Sequence, residues 1–355
     1  MGRHPEIDPD IRTARTLPSW CYSDPGFFEH CRERVFARSW QLAPDLGAGP
    51  GRVHPFPFLE GCVGEPLLLA SDAQGSVRCL SNVCTHRGNL VVHEPGTCSQ
   101  LRCGYHGRRF ALDGTFEHMP EFKEARGFPT EADHLPRLPL ERWGMFRFTA
   151  LQPSCPFGEW SGEVARRVAG AKVEGLRFDA ARSRDYEVRA NWALYVDNYL
   201  EGFHIPFIHG GLNAQLDYGS YTTELYRWAS VQVGFGDEAE TAFDRPEEGK
   251  RVAAYYAWLF PNLMLNFYPW GLSINVVKPL AVDRTRVSFL SYVGDESKLD
   301  RGAGAALDRV EMEDEAVVEA TQRGVRSRLY DRGRYSPARE QGVHHFHRLL
   351  AEATR

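Results

Sequence analysis

The chain has 355 residues, 43% of them hydrophobic and 25% charged, with a net charge of -5. That length gives room for about two domains, the acidic balance argues against a nucleic-acid partner, and no apolar run is long enough to span a bilayer. The first ten residues are charged and hold Pro5 and Pro9, unlike a secretory signal; the eight cysteines therefore read largely as reduced thiols of a cytoplasmic protein.

Residues 19–42 read as a helix, with Ser23 or Asp24 as N-cap, Pro25 at the first position, and Phe28, Cys31 and Val35 at helical spacing. From residue 52 to 148 the pattern turns to short strands at 66–70, 77–80, 101–103, 109–112 and 144–149. Turn signals stand at Asp72-Ala73-Gln74-Gly75 and Asp113-Gly114, which predicts an antiparallel β domain. The pattern breaks at Gln152-Pro153-Ser154-Cys155-Pro156. The expected division is a helical segment 1–42 packing on the second domain, a β domain 43–152, and a second domain 153–355. The last opens with a helix near 160–169, followed by strands at 184–189, 221–234, 252–259, 263–268, 272–279 and 285–293. Helical stretches at 191–209 and 307–329 complete it, so the fold class is α+β.

Within the β domain lie Cys84-Thr85-His86-Arg87-Gly88 and Cys103-Gly104-Tyr105-His106-Gly107, with sixteen residues between His86 and Cys103. Two thiolates and two imidazoles are what a Rieske [2Fe-2S] cluster needs: two cysteines hold one iron, and two histidines replace thiolates on the other. Structural zinc takes the same donors, but zinc fingers place both cysteines first and both histidines second, whereas the order here alternates. The ligand loops fall between strands, where backbone N–H groups can bond the sulfurs.

At these residues the chain resembles the Rieske non-haem iron oxygenases, whose pattern is C-x-H-R-G followed by C-x-x-H-G. The resemblance implies that Cys84 and Cys103 bind one iron and His86 and His106 the other. The extra disulfide of respiratory Rieske proteins is not expected, because Arg87, Gly88 and Asn89 follow His86. Arg108 departs from the family, where most members have Trp, and is expected to touch no ligand.

A second site is suggested by helix geometry. Glu201 and His204 are three apart and would share a helix face. His204 and His209 would point ~140° apart on an ideal helix; Pro206 disfavours helix at Ile205 and is expected to break it between them. Two imidazoles near a carboxylate suggest a 2-His-1-carboxylate Fe(II) centre. H-x4-H alone is equally readable as surface or core histidines. At ~100° per residue, residues 307–329 carry an apolar stripe of Leu307, Val310, Val317, Val318, Thr321, Val325 and Leu329, with Asp314 in its middle. Glu311 lies at the edge as the reserve candidate, and Glu313, Glu315 and Glu319 read as a solvated face. A carboxylate on a buried face must be paired, neutral or metal-bound, an ion pair with a core arginine being the alternative.

The family resemblance extends here. Its motif D/E-x-x-H-x4-H, after an Asn and an upstream Asn-Trp, matches Asn191-Trp192, Asn198, Glu201, His204 and His209. It implies His204 and His209 as iron ligands, and Asp314, ahead of Gln322-Arg323-Gly324, as the third. It also implies that Glu201 does not bind iron but bridges electrons from a cluster histidine, His106, of a neighbouring subunit. Most ring dioxygenases have Asp there; Glu is similar to the branch acting on choline, glycine betaine and carnitine.

The resemblance implies a helix-grip catalytic domain, an antiparallel sheet wrapping helices around the iron, in a homotrimer. The chain would be a terminal oxygenase, taking electrons from NADH through a separate flavin and iron–sulfur reductase, to hydroxylate or demethylate a small organic substrate. No G-x-G-x-x-G fingerprint follows a strand. Aromatics such as Tyr199, Tyr218, Tyr221, Tyr256, Tyr268 and Trp270 belong mostly to the core; some could form a cage for a trimethylammonium group or a slot for an aromatic ring. An aromatic-ring dioxygenase therefore stays open, as does a Rieske carrier fused to a ligand-binding helix-grip domain. His344, His345 and His347 have no carboxylate or cysteine beside them and read as surface residues.

Overall fold

Short strands dominate residues 37–153, the first of two units into which the chain divides; the other joins residues 1–36 to 154–355. The computed structural model describes all residues except 1–2, 172, 210–218, 220, 237–241, 245, 248 and 305–306. Tyr218 therefore lies outside the described residues.

In residues 37–153, strands Gly96–Thr97, Arg52–Phe58, Glu65–Ser71, Val77–Ser81 and Arg137–Leu138 form an antiparallel sheet in that order. Leu101–Arg102, Arg109–Phe110 and Phe116–His118 form a second sheet, and Gln41–Leu42, Phe146–Thr149 and Leu140–Trp143 a third. Asp72 closes one hairpin, its Oδ1 accepting from the N–H groups of Gln74 and Ser76 at 3.0 and 2.8 Å, with Gly75 in the left-handed region that glycine adopts without strain. Leu68, Ala70, Leu80, Leu101, Phe110 and Leu135 pack as the apolar core, and Cys84 and Cys103 belong to the same cluster.

Residues 19–42 are not one helix. Asp24 caps α1 (Pro25–Arg34), accepting from Phe27 N–H at 2.8 Å, as the sequence predicts. The helix ends at Val35, and Gln41–Leu42 pairs instead with Phe148 and Thr149, so sheet bonds satisfy its backbone.

The second unit is built on a seven-stranded antiparallel sheet. After α2 (Phe157–Arg167) come β1 (Arg177–Val188), β2 (Thr222–Tyr226), β3 (Ala229–Gly236), β4 (Arg251–Leu259), β5 (Leu263–Tyr268), β6 (Gly271–Ala281) and β7 (Arg284–Val293), in the spatial order β1-β7-β6-β5-β4-β3-β2. The run read as one strand at 221–234 is the hairpin β2–β3, turning at Arg227-Trp228. Against the sheet lie α3 (Trp192–Tyr199), α5 (Leu307–Gly324) and α6 (Gln341–Ala353), with the short α4 (Ile205–Ile208) following α3 in the chain. Helix α3 packs on α5, α6 and β6. No described helix is long and apolar enough to cross a membrane.

Strand register decides what faces α3. Gln232, Tyr256, Asn266 and Ser273 are successive cross-strand partners on β3, β4, β5 and β6, so their side chains share one face. All but Tyr256 are polar and buried, and α3 meets them: Tyr199 hydroxyl donates to Asn266 Oδ1 at 2.8 Å, and Gln232 Nε2 donates to Tyr199 carbonyl at 2.8 Å.

The chain ends meet at α3. Tyr22 hydroxyl donates to Asp197 Oδ2 at 2.9 Å, while His347 on α6 reaches Asp197 Oδ1 at 2.7 Å and Tyr335 hydroxyl at 2.6 Å. His344 and His347 are thus buried, not surface residues, and His345 is half-buried. The correction follows from the amphipathic pattern of α6, whose Phe346, Leu349 and Leu350 point inward and take His347 with them.

Candidate cluster and metal centres

The two Cys-His loops are near copies. Gly88 N–H donates to Cys84 carbonyl at 3.0 Å and Gly107 N–H to Cys103 carbonyl at 3.1 Å. Each glycine stands four residues after its cysteine, with φ of 74° and 72°, a turn closed more easily by glycine than by other residues. Cys84 and Cys103 are buried side by side, while the rings of His86 and His106, half-buried, lie 4.8 Å apart at 76°. Two thiols on the inside and two imidazoles toward the surface are the donor arrangement of a two-iron group with unlike ends.

The sulfur environment suits thiolates. Asn89 Nδ2 lies 3.6 Å from Cys103 Sγ, and the N–H groups of Tyr105 and His106 are aimed at the same sulfur. Burial pushes the Cys103 thiol up, but these donors outweigh it and the net direction is down. Arg108 turns inward, almost wholly buried, donating to Asp133 Oδ1 at 2.7 Å and Asp133 carbonyl at 3.0 Å, with its guanidinium 4.8 Å from the centre of the Phe116 ring.

In the other unit, α3 starts with Asn191, whose Oδ1 accepts from Ala193 N–H at 3.0 Å, and ends at Tyr199. Glu201 and His204 are therefore not on a helix but in the turn before α4. Pro206 does not break a helix between the histidines; it begins one, in the first turn of α4, where its missing N–H costs nothing. The expected convergence is nevertheless present. His204, His209 and Asp314 each offer a donor atom within 4.8 Å of the others. His209 Nε2 is 3.0 Å and His204 Nε2 3.5 Å from Asp314 Oδ1, and Asn198 Nδ2 donates to the same oxygen at 2.9 Å.

Each imidazole is held from behind by a carboxylate. His204 Nδ1–H donates to Glu201 Oε1 at 2.6 Å, and Glu201 Oε2 accepts the N–H groups of Phe203 and His204. His209 Nδ1–H donates to Glu313 Oε2 at 2.8 Å, whose other oxygen binds Arg309. With both Nδ1 atoms donating, each ring turns Nε2 toward the Asp314 carboxylate oxygen, where a cation between them would satisfy all three groups. Burial lowers the His209 pKa, but Asp314 and Glu313 raise it further and the net direction is up, the mark of a locus that favours positive charge. These three donors fit a facial-triad metal.

Helix α5 needs two corrections. It ends at Gly324, and its buried positions are Glu311, Val318 and Gln322, while Thr321 is exposed, so the inward face is more polar than the apolar stripe predicts; Val325, buried, and Leu329, exposed, follow its end. Glu313, read as solvated, reaches His209. Glu311, the reserve candidate, is outside the three-donor group and accepts from Tyr195 hydroxyl at 2.9 and 2.8 Å. Gln322 was also missed as a positioning group: its Oε1 accepts Asn191 N–H at 2.7 Å and so anchors the start of α3. The Gln-Arg-Gly run was the one available signal.

A cavity of about 120 Å³ opens beside the triad, lined by Tyr195, Tyr199, Glu201, His204, Tyr221, Gln232, Tyr256, Asn266, Tyr268, Glu311 and Asp314 among others. Trp270 stacks behind Tyr268 at 5.3 Å, whereas Trp258 and Phe267 belong to the core.

Residues 176–355 match the model of the ring hydroxylating alpha subunit (catalytic domain), and residues 56–130 that of the Rieske [2Fe-2S] domain. Choline monooxygenase, chloroplastic, of Beta vulgaris is 31% identical over 98% of this chain and 79% of its own length. The carnitine monooxygenase oxygenase subunit of Escherichia coli K12 is 30% identical over 96% of this chain and 94% of its own. The fold is that of the quaternary ammonium Rieske monooxygenase CntA in complex with L-carnitine, with a TM-score of 0.77 at 24% identity over 98% of this chain and 97% of that one. Naphthalene 1,2-dioxygenase with indole bound shares it at a TM-score of 0.74 and 18% identity over 96% and 92%. With a catalytic-domain match over half its length and relatives similar throughout, this chain belongs to the Rieske non-haem iron oxygenases, the ring-hydroxylating alpha-subunit family, whose cofactors are a [2Fe-2S] cluster and a mononuclear iron.

Proposed function

We propose that this chain is the terminal oxygenase that hydroxylates or demethylates a small quaternary ammonium compound, with Cys84, His86, Cys103 and His106 holding the cluster and His204, His209 and Asp314 the Fe(II). The observation that carries the substrate reading is the cavity lining: five tyrosines, three carboxylates and, among the described residues, no Lys or Arg. Aromatic faces and carboxylates attract a cation. An apolar ring would gain nothing from these carboxylates or from the polar wall of Gln232, Asn266, Ser273 and Asn275.

When bound, the cluster supplies single electrons and the iron a place to reduce dioxygen beside the substrate. The residues supply position and polarity. Glu201 fixes the ring of His204 through Nδ1 and keeps Nε2 directed inward; Glu313 does the same for His209. In the homotrimer that the reading requires, Glu201 also accepts from His106 of the partner subunit and so links the two centres. The tyrosines of the lining, Tyr195 and Tyr268 buried and Tyr199 and Tyr221 half-buried, limit water at the reacting end. Electrons reach the chain from a separate reductase, which we propose is an NADH-dependent flavin and iron–sulfur protein, in the cytoplasm.

The test is a single turnover. The purified protein, carrying about three irons per chain, is reduced chemically, exposed to oxygen, and offered quaternary ammonium compounds and aromatic acids in separate reactions. Formaldehyde or a hydroxylated ammonium product is expected. A hydroxylated ring would replace the substrate reading, and two irons after Fe(II) reconstitution would replace the oxygenase site with a carrier.

A further inference from the structure

Glu311 is the feature of the cavity that the metal centre leaves unused. It sits on α5 three residues before Asp314, hence on the same face, and is only 5% exposed. Its hydrogen-bond donor is the Tyr195 hydroxyl, shared between both oxygens at 2.9 and 2.8 Å. A carboxylate has about four acceptor positions, and one hydroxyl leaves most of its charge without compensation in a buried place. Burial accordingly pushes the Glu311 carboxyl well above the usual range, offset only in part by Tyr195.

Gln232 adds an independent observation. It is 1% exposed and lines the same cavity. Nε2 donates to Tyr199 carbonyl at 2.8 Å, which fixes which end of the amide is oxygen. Among the described residues, Oε1 is buried with no hydrogen-bond partner. A buried acceptor in this state favours any ligand that brings a donor.

Resting on the quaternary ammonium reading of this cavity, we infer that Glu311 is the counter-charge for the substrate cation and that Gln232 Oε1 accepts a hydroxyl of the same substrate, so that the site selects a hydroxylated cation over a zwitterion. Glu201 is committed to His204 and Asp314 to the triad; Glu311 is the remaining carboxylate of the lining. A substrate carboxylate would meet these three acids with no Lys or Arg among the described lining residues. Like charges in such a site repel.

The experiment is calorimetric binding to the iron-loaded protein without reductant, so that turnover plays no part. The probes are choline, its neutral isostere with carbon in place of nitrogen, ethyltrimethylammonium, and glycine betaine. The native protein is expected to bind choline about tenfold or more tightly than each of the others, the scale of one charge-assisted hydrogen bond. Glu311→Gln should reduce the preference over the neutral isostere by about tenfold, and Gln232→Met should abolish the preference over ethyltrimethylammonium. Glu311→Asp, which keeps the charge, should retain part of the first preference and serves if the Gln variant does not fold. A cation preference unchanged in Glu311→Gln, or absent in Glu311→Asp, overturns the role of Glu311 and leaves the ammonium reading standing. Equal binding of choline and its isostere by the native protein overturns both. Betaine bound as tightly as choline overturns the selection against zwitterions.

Discussion

Glu313 Oε2 accepts the Nδ1–H of His209 at 2.8 Å, while the next residue, Asp314, faces the other nitrogen of the same ring at 3.0 Å. Two adjacent helical carboxylates thus grip one imidazole from opposite sides, one as its orienting partner and one as its neighbour in the triad. Glu313→Gln keeps a weaker acceptor and should lower Fe(II) affinity by about tenfold. Iron titration of the apo-site, with the visible spectrum of the cluster unchanged, checks this.

Glu201→Gln should act differently. Both metals should remain bound, because His204 keeps a hydrogen-bond partner, but turnover should fall by at least roughly tenfold. In rapid mixing of the reduced enzyme with oxygen and substrate, oxidation of the cluster should be slowed to match. Full-speed cluster oxidation would remove Glu201 from the path between centres.

Arg108 and Asp133 form a pair in which the guanidinium is 2% exposed and the carboxylate 18%. Removing one member strands the other. Arg108→Met should therefore destabilise the fold by about 3 kcal/mol, the lower end of the range for a buried pair because Asp133 keeps some water. Chemical denaturation followed by the cluster spectrum reads it.

His345 sets a pH dependence. Burial, with Arg348, Arg227 and His344 nearby, holds its pKa down to about 4, although the Tyr226 backbone raises it somewhat. The unfolded chain binds this proton near pH 6.5, so between about 6.5 and 4 the unfolded state carries more protons and stability falls as the pH falls. His345→Gln should flatten that part of the stability profile, with the two proteins diverging by roughly 3 kcal/mol at pH 4. Parallel melting curves across the window would refute the assignment.

Gly342 lies on α6 where a Cβ would stand 2.4 Å from the Leu200 carbonyl oxygen. Gly342→Ala must push α6 away from the turn carrying Glu201, at a cost of about 1–3 kcal/mol. Loss of iron together with a lower melting temperature is expected; loss of the cluster is not.

The centres were legible to different degrees because they are encoded at different ranges. Cys84, His86, Cys103 and His106 stand on two short loops whose spacing displays the donor set directly. Strands of the large sheet showed as strand-like runs, although its central strands are buried on both faces and do not alternate. Pro206 was misread because the same ring that disfavours helix before it favours a first turn around it, and only the chain beyond decides. Glu313 was assigned to solvent because helix angle alone does not reveal that His209 arrives from another segment. Gln232, Asn266 and Ser273 gave no signal at all: they are polar residues in strands, and only cross-strand register assembles them.

Asp197 joins Tyr22 to His347, two residues separated by almost the whole chain. This has a consequence for the order of assembly during synthesis. Every strand of residues 37–153 is available once residue 149 has emerged, but the junction on α3 has to wait for residue 347. At about 5–20 residues per second, that is a delay of roughly 10–40 s. The cysteine-bearing unit can therefore fold on the ribosome, while the junction on α3 closes last. Chains that lose their final helix would keep that unit but leave Asp197 without His347 and uncover the face of α3 that α6 packs on.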